Sequence, residues 1–476
     1  MDKHALLIPG APAAAGTKTV SAPYDGSVLA EVESGGLRHV EAALATAHGL
    51  FRDRSAWLPL HRRVEILQRT AAIMEKKKEQ LIRTAAGEGG KPWRDTEVEV
   101  NRAIDGIHLC VETIRSEQGE VIPMGGSASS AHRVAFTQRE PIGVVVAVSA
   151  FNHPLNLIVH QVAAGIAAGC PVVVKPAEVT PLSCISFVKI MHEAGLPEAW
   201  CQVLIAENRE ASTALVADAR VGFFSFIGSA QVGWMLRSQL APGARCALEH
   251  GGVAPLILAD DADLDLAVPS ITKGGFYHAG QVCVSVQRVF AHKSVASEFA
   301  KALAVSAQKL VVGDPLDAAT DVGPLIKPAE VDRVHNWVGA AGATMLCGGE
   351  KIGDSCYAPT VLVEPAADAL VSTKEIFGPV VCIYSFDDMD AAIAQANSLP
   401  VAFQAAVFTR SIDKAMHAYS RLDASAIMVN DHTAFRVDGM PFAGLRESGM
   451  GVGGIPYTIH EMSIEKMMVI HSPALN

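Results

Sequence analysis

Three things are scarce in this chain of 476 residues. Positive charge is one. Lys and Arg number 39 against 50 Asp and Glu, a net charge of −11, and no stretch sets aside a basic face for a polyanion. Nucleic-acid binding is therefore not expected. Long apolar runs are another. The longest apolar region, residues 157–174, is broken by His160, Gln161 and Gly165 and closed by Lys175 and Pro176, which disfavours a membrane span. The opening MDKHALLIPGAPAAAG has no sustained apolar core behind a basic tip, so no secretory signal is expected and the chain reads as cytoplasmic. Metal-ligand spacing is the third. Nine cysteines are scattered without a CxxC or a Cys/His cluster, a pattern of reduced thiols that predicts no metal site. Against these shortages, hydrophobic residues reach 50%, and 40 Gly and 25 Pro supply tight connections. That mix excludes a disordered chain and fits a well-buried α/β protein of two or three domains.

Residues 39–87 place Ala43, Leu44, Ala47, Leu50 and then Val64, Ile66, Leu67, Ala71, Ile73 and Met74 at helical intervals. Residues 118–138 are glycine- and serine-rich and then alternate, which predicts a projecting hairpin or arm. After Glu140 strands and helices alternate. Strands are expected at 144–148, 171–175, 203–206 and 222–226, and helices at 155–168, 182–194, 211–217 and 230–240. Near-continuous apolar strands separated by helices mean a parallel sheet covered on both faces, with ligands at the carboxyl ends of its strands. A second α/β unit follows Glu249, with strands at 255–258, 284–289 and 405–408 and helices at 295–309 and 387–397. The tail from Tyr457 is apolar for an exposed end and is expected to pack against another segment or subunit.

Several short segments carry candidate chemistry. No GxGxxG follows the first strand; instead Phe226-Ile-Gly-Ser-Ala-Gln-Val-Gly233 runs from strand to helix. Gly228 allows a tight turn, and Ser229 can cap the helix and donate to a phosphate, although an ordinary strand–helix turn has the same form. Lys175 and Glu178 leave one strand end together, either as a pair for ribose hydroxyls or as a solvated ion pair. Asn152 follows an apolar strand, where its amide is either an oxyanion donor, worth about 3 kcal/mol, or a turn asparagine. Glu249 precedes a glycine pair and is a general base if burial raises its pKa. Glu375 shares a loop with Phe377. An ordinary exposed loop acid is the alternative for both glutamates. Cys283, in Gly280-Gln-Val-Cys, fits an inert core thiol as well as a nucleophile at the mouth of a strand.

Taken in order, FNHP, KPAE, FIGSAQVG, LEHGG, GQVC, EIFGPV and PFAGLRESG resemble the NAD(P)-dependent aldehyde dehydrogenase superfamily over almost the whole chain. The resemblance implies an α/β aldehyde dehydrogenase fold. Its Rossmann-like cofactor domain would span residues 1–117 and 139–249, and its α/β catalytic domain residues 250–451. A small β oligomerisation arm and tail would comprise 118–138 and 452–476, in a homodimer or homotetramer. It implies that the Cys283 thiolate attacks an aldehyde to give a thiohemiacetal, and that Asn152 and the Cys283 N–H hold the oxyanion. Glu249 would then activate the water that hydrolyses the thioester. NAD is expected on Phe151, Lys175, Glu178, Gly228, Ser229, Glu375 and Phe377, with NADP as the alternative cofactor. Because a carboxylate at Glu178 repels a 2′-phosphate, NAD is the expected preference.

The resemblance implies an aldehyde as the substrate. His153, Asn156, His160, Tyr277 and Arg436 are expected to line its tunnel. Tyr277, His278 and His160 fall where succinate-semialdehyde dehydrogenases often carry Arg or Asn, so the usual pair of carboxylate-binding arginines is not expected. The C-terminal part is similar to the lactaldehyde and phosphonoacetaldehyde dehydrogenase branch, which implies a short hydrophilic aldehyde, with or without an anionic head. Two alternatives remain: a CoA-acylating aldehyde dehydrogenase, whose members typically lack the glutamate found at 249, and a non-catalytic protein on the same scaffold, which has no need of Asn152, Glu249 and Cys283 together.

Overall fold

The computed structural model describes residues 2–475. Five strands run parallel in the spatial order Arg245–Glu249, Val221–Ile227, Val144–Val148, Val172–Lys175 and Cys201–Val203. The short strand Gly449–Met450 adds antiparallel to the outer edge of the first. Strand alternation divides the apolar residues between two cores. Val145, Ala147, Val172 and Val174 join the core that includes helix Leu182–Glu193, while Val144, Val146 and Val173 join the one that includes helix Leu37–Arg52. All seven are fully buried, and each such valine contributes about 1.5–3 kcal/mol.

A second sheet has the order Thr344–Cys347, Thr360–Val363, Val380–Phe386, Arg288–His292, Pro255–Leu258, Gln404–Phe408 and Ala426–Val429. It is parallel except at its first strand. A third, smaller sheet joins Val121–Ile122, Arg133–Pro141 and Ser463–His471, so the predicted arm and the tail pair with each other. Among the described residues no helix is long and apolar enough to cross a membrane.

Three expectations need correction. The strand predicted at 284–289 lies at Arg288–His292. Val282 and Val284 are buried instead in a small local cluster with Phe403 and Phe442, so their alternation anchors a loop and not a ladder. The strand predicted at 203–206 lies at Cys201–Val203. The helix predicted at 155–168 contains a π-turn, Val159–Ala163, between two α segments. A helix of 24 residues, Trp93–Ser116, was not anticipated.

Candidate active site

The carboxyl ends of the first sheet open into a cavity of about 500 Å³ that reaches the second sheet. Phe151, Asn152, His153, Asn156, Gly228, Ser229, Glu249, Tyr277, Cys283, Glu375, Phe377 and Arg436 all line it. Residues up to 285 positions apart, Phe151 and Arg436, thus converge on one space. The three remaining candidates do not line it. His160 is buried behind the wall, where its Nε2 meets Asp438 at 2.7 Å. Lys175 and Glu178 are near neighbours in the chain of Ala177, which does line the cavity. Glu178 pairs with Lys18 at 3.1 Å.

The loop that carries Cys283 is tied from several sides. Asn152 Nδ2 donates to the Gln281 carbonyl at 2.9 Å, and Gly252 N–H to the Cys283 carbonyl at 3.2 Å. Thr433 Oγ1 donates to the Val284 carbonyl at 2.6 Å. The buried Gln281 side chain donates to the Pro324 carbonyl and accepts from the Ile326 N–H. Gly280, at φ +70°, lies so close to the Gly378 carbonyl that any Cβ would collide. The Cys283 loop therefore packs directly on the loop bearing Glu375 and Phe377.

Asn152 is positioned by the helix that follows it. Glu99 Oε1 accepts from the N–H groups of Leu155 and Asn156 at 2.9 and 3.0 Å, and its Oε2 meets Lys91 Nζ at 2.6 Å, both side chains being fully buried. Glu99 thus satisfies two donors at the helix start. An amide nitrogen carries two hydrogens. One of those on Asn152 is spent on Gln281, and the other is available to a ligand beside Cys283.

Burial raises the pKa of Glu249, with Arg436 opposing. Burial likewise pushes the Cys283 thiol up to about 12, with Glu375 and Glu249 adding to the effect and Arg436 opposing it. A sulfur with so little thiolate at neutral pH needs a nearby base, and a carboxylate of raised pKa is a competent one. Burial also raises Glu375 to about 8.

At the other end of the cavity, the residues suit a dinucleotide. Glu375 Oε1 is buried without a partner, and its carboxylate covers Gly251 where a Cβ would collide. An orphaned acceptor in a cradle cleared of side chains fits a ribose hydroxyl. Ser229 occupies the N-cap position of helix Ala230–Arg237, but its hydroxyl makes no cap bond, contrary to the capping role expected from sequence, and so is free to face a phosphate. Gly228 N–H donates to the Glu249 carbonyl and the His250 ring bonds the Gly228 carbonyl, both at 3.0 Å. This turn and the Glu249 loop are thereby locked together. Phe151 and Phe377 meet edge to face at 5.8 Å.

Two residues that matter here escaped the sequence reading. Arg102, on the unanticipated helix, lines the cavity together with Arg436. The cavity therefore holds two arginines, neither of them at the positions of Tyr277, His278 or His160. Arg436 stacks on Phe442, 3.6 Å from the ring centroid, and its Nε is buried without a partner. Arg102 is forked onto Asp438 at 2.7 and 3.0 Å. Asp438 also accepts from Asn156 Nδ2 at 3.1 Å and from His160. Burial lowers the pKa of His160, and its hydrogen bond to Asp438 opposes that shift. Burial opposes the charge on Asp438, but His160 and Arg102 outweigh it and hold the carboxyl well below the usual range.

Residues 11–468 match the aldehyde dehydrogenase family. The 3-sulfolactaldehyde dehydrogenase of Priestia megaterium is 36% identical over 451 residues, 94% of each chain. Aldehyde dehydrogenase 21 from Physcomitrella patens, solved with the reaction product succinate, superposes with a TM-score of 0.95 at 31% identity, covering 100% of this chain and 99% of that one. Glyceraldehyde-3-phosphate dehydrogenase GapN from Methanocaldococcus jannaschii, solved with NADP, gives a TM-score of 0.91 at 34% identity, covering 95% and 99%.

Proposed function

The chain belongs to the aldehyde dehydrogenase family and uses NAD(P), and we propose that it oxidises a short, hydrophilic, anionic aldehyde to the carboxylic acid through covalent catalysis at Cys283. The observation that carries this reading is the convergence of Cys283, Asn152 and Glu249 with Arg102 and Arg436 on a single cavity.

Glu249 takes the thiol proton, directly or through water, as Cys283 Sγ bonds to the aldehyde carbon and the carbonyl π pair moves to oxygen. The free Asn152 hydrogen and the Cys283 backbone N–H hold that oxyanion, each donor contributing about 3 kcal/mol to the barrier. Bound nicotinamide supplies the acceptor for the hydride that leaves the same carbon. Cys283 is then left as a thioester, and Glu249 passes the proton it took to solvent and is a carboxylate again. Glu249 deprotonates a water that adds to the thioester carbon; the C–S bond breaks, and the acid and the thiol are released. A carboxylate at Glu249 in the cavity, able to activate water, supports hydrolysis over transfer to CoA.

Phe151, Gly228, Ser229, Glu375 and Phe377 hold the pyrophosphate and nicotinamide half of the cofactor, and Lys175 and Glu178 the adenosine ribose, with NAD preferred. Arg436 and Arg102 face the anionic head of the substrate, while His153, Asn156 and Tyr277 line its path. The cofactor unit comprises residues 1–117 and 139–249, the catalytic unit 250–451, and the arm and tail 118–138 and 452–476.

The test is a panel of 3-sulfolactaldehyde, succinate semialdehyde, phosphonoacetaldehyde, sulfoacetaldehyde, lactaldehyde and glycolaldehyde against hexanal and benzaldehyde, with NADH followed without CoA. Anionic aldehydes should give the highest kcat/KM. Arg436→Met should cost them about 10- to 100-fold, the worth of one charged hydrogen bond, and leave lactaldehyde little changed. Hexanal or benzaldehyde exceeding every hydroxylated or anionic aldehyde would refute the assignment.

A further inference from the structure

The ion pair between Lys18 and Glu178 plays no part in the chemistry above. Lys18 lies in the strand Gly16–Ser21, on the same face as buried Val20, and pairs across the sheet with Val32. Its side chain is 24% exposed and its Nζ reaches Glu178 Oε2 at 3.1 Å. Lys175 completes the group. Burial lowers the pKa of its ammonium, with the charge of Glu178 acting to raise it and that of Lys18 to lower it. One ammonium is thus paired with the carboxylate and a second lies near it at the end of strand Val172–Lys175, and the three side chains carry a formal net charge of +1.

A lone carboxylate beside a ribose repels a 2′-phosphate. A carboxylate with one oxygen already on a lysine does so far less, and its second oxygen remains able to accept from a 2′-hydroxyl. An ammonium is moreover a compact point charge well suited to phosphate. We propose that Lys18 is a cofactor-selectivity residue: by pairing with Glu178 and presenting its own charge to the ribose, it lets this chain accept NADP alongside NAD. The proposal rests on Lys175 and Glu178 being the ribose subsite. Under it the preference for NAD is a moderate one, set by the balance between Glu178 and Lys18.

Equilibrium binding by calorimetry, with no aldehyde present, tests this independently of turnover. The readout is the ratio of Kd for NADP to Kd for NAD within each protein, which cancels any loss of folded material. Lys18→Met should raise that ratio at least about tenfold, the loss of one charge-assisted contact, and flatten the salt dependence of NADP binding. Lys18→Arg should keep the ratio near that of the parent. Glu178→Gln should lower it. If Lys18→Met leaves the ratio unchanged or lowers it while Glu178→Gln shifts it, the role of Lys18 is overturned and the ribose subsite stands. If neither variant moves the ratio, both fall.

Discussion

Cys283 sits in a wall of the cavity with two carboxylates, Glu249 and Glu375, and one guanidinium, Arg436, close enough to influence its proton. The burial that holds the thiol at about 12 has a direct consequence for its reactivity. At neutral pH the thiolate fraction lies far below one half, so it grows about tenfold for each unit of pH until the pKa is approached. Alkylation of Cys283 by iodoacetamide, followed by peptide mass spectrometry, should therefore rise log-linearly between pH 7 and 9. A plateau by pH 8 would contradict it. At this scale the sequence was most legible where a motif sits beside its own backbone turn. Asn152, Glu249, Cys283, Glu375 and Phe377 each lie at a strand end or in a loop, and all line the cavity. Arg102 was not legible. It lies on an amphipathic helix whose charged residues read as a solvated face, and its partner Asp438 is 336 positions away.

The helical segment after Asn152 joins its neighbours through one buried carboxylate. Asn156 and His160, one turn apart, both bond Asp438 Oδ1, and Asp438 in turn grips Arg102 of helix Trp93–Ser116. Sequence spacing correctly put Asn156 and His160 on one face, but not what that face meets. The π-turn Val159–Ala163 adds a residue to the turn, so that Gln161 can also reach inward, to the carbonyls of Val148 and Ser225. No period of hydrophobicity announces such a turn. Asp438→Asn should destabilise the protein by about 3 kcal/mol near neutrality, because it leaves the Arg102 charge part-buried without its partner. The pH dependence follows from the depressed pKa of Asp438 in the folded state. Its contribution is fully present above the unfolded value of about 3.9 and is lost as pH falls toward the folded one. Denaturant titrations should thus find the gap between parent and variant constant from pH 7 to 5 and shrinking below pH 4. A gap that widened with acid would refute the charge assignment.

At the scale of the whole molecule, the ribbon built from the arm and the tail presents an exposed apolar face. Met468 pairs with Phe136, Ile470 with Val134, and Val121 with Phe136, so these five apolar side chains share one face. Each is exposed, from 38% for Phe136 to 78% for Val121. The strand Ser463–His471 also forms an open edge of its sheet. A contiguous apolar face on a pairing edge is what a subunit interface requires. We propose that this ribbon joins subunits of a homo-oligomer. Light scattering behind size exclusion should give at least twice the mass of one chain, and Met468→Glu with Ile470→Glu should lower it. A monomeric parent protein would overturn this. The architecture was legible wherever strand and helix alternate, because each fully buried strand advertises itself as an unbroken apolar run. It was illegible where the chain is held by distant side chains, as between Lys18 and Glu178 or Arg102 and Asp438.

The covalent route through Cys283 is tested most directly by stalling it. Glu249→Gln removes the base that activates water, which should slow turnover by about 10²–10⁴-fold. Incubated with NAD and an accepted aldehyde at pH 9, where Cys283 ionises without Glu249 about a hundredfold more than at pH 7, that variant should release NADH equivalent to its active sites and then nearly stop. Its Cys283 peptide should carry the mass of the acyl group as a hydroxylamine-labile thioester. Steady NADH production by this variant with an unmodified Cys283 would contradict the account.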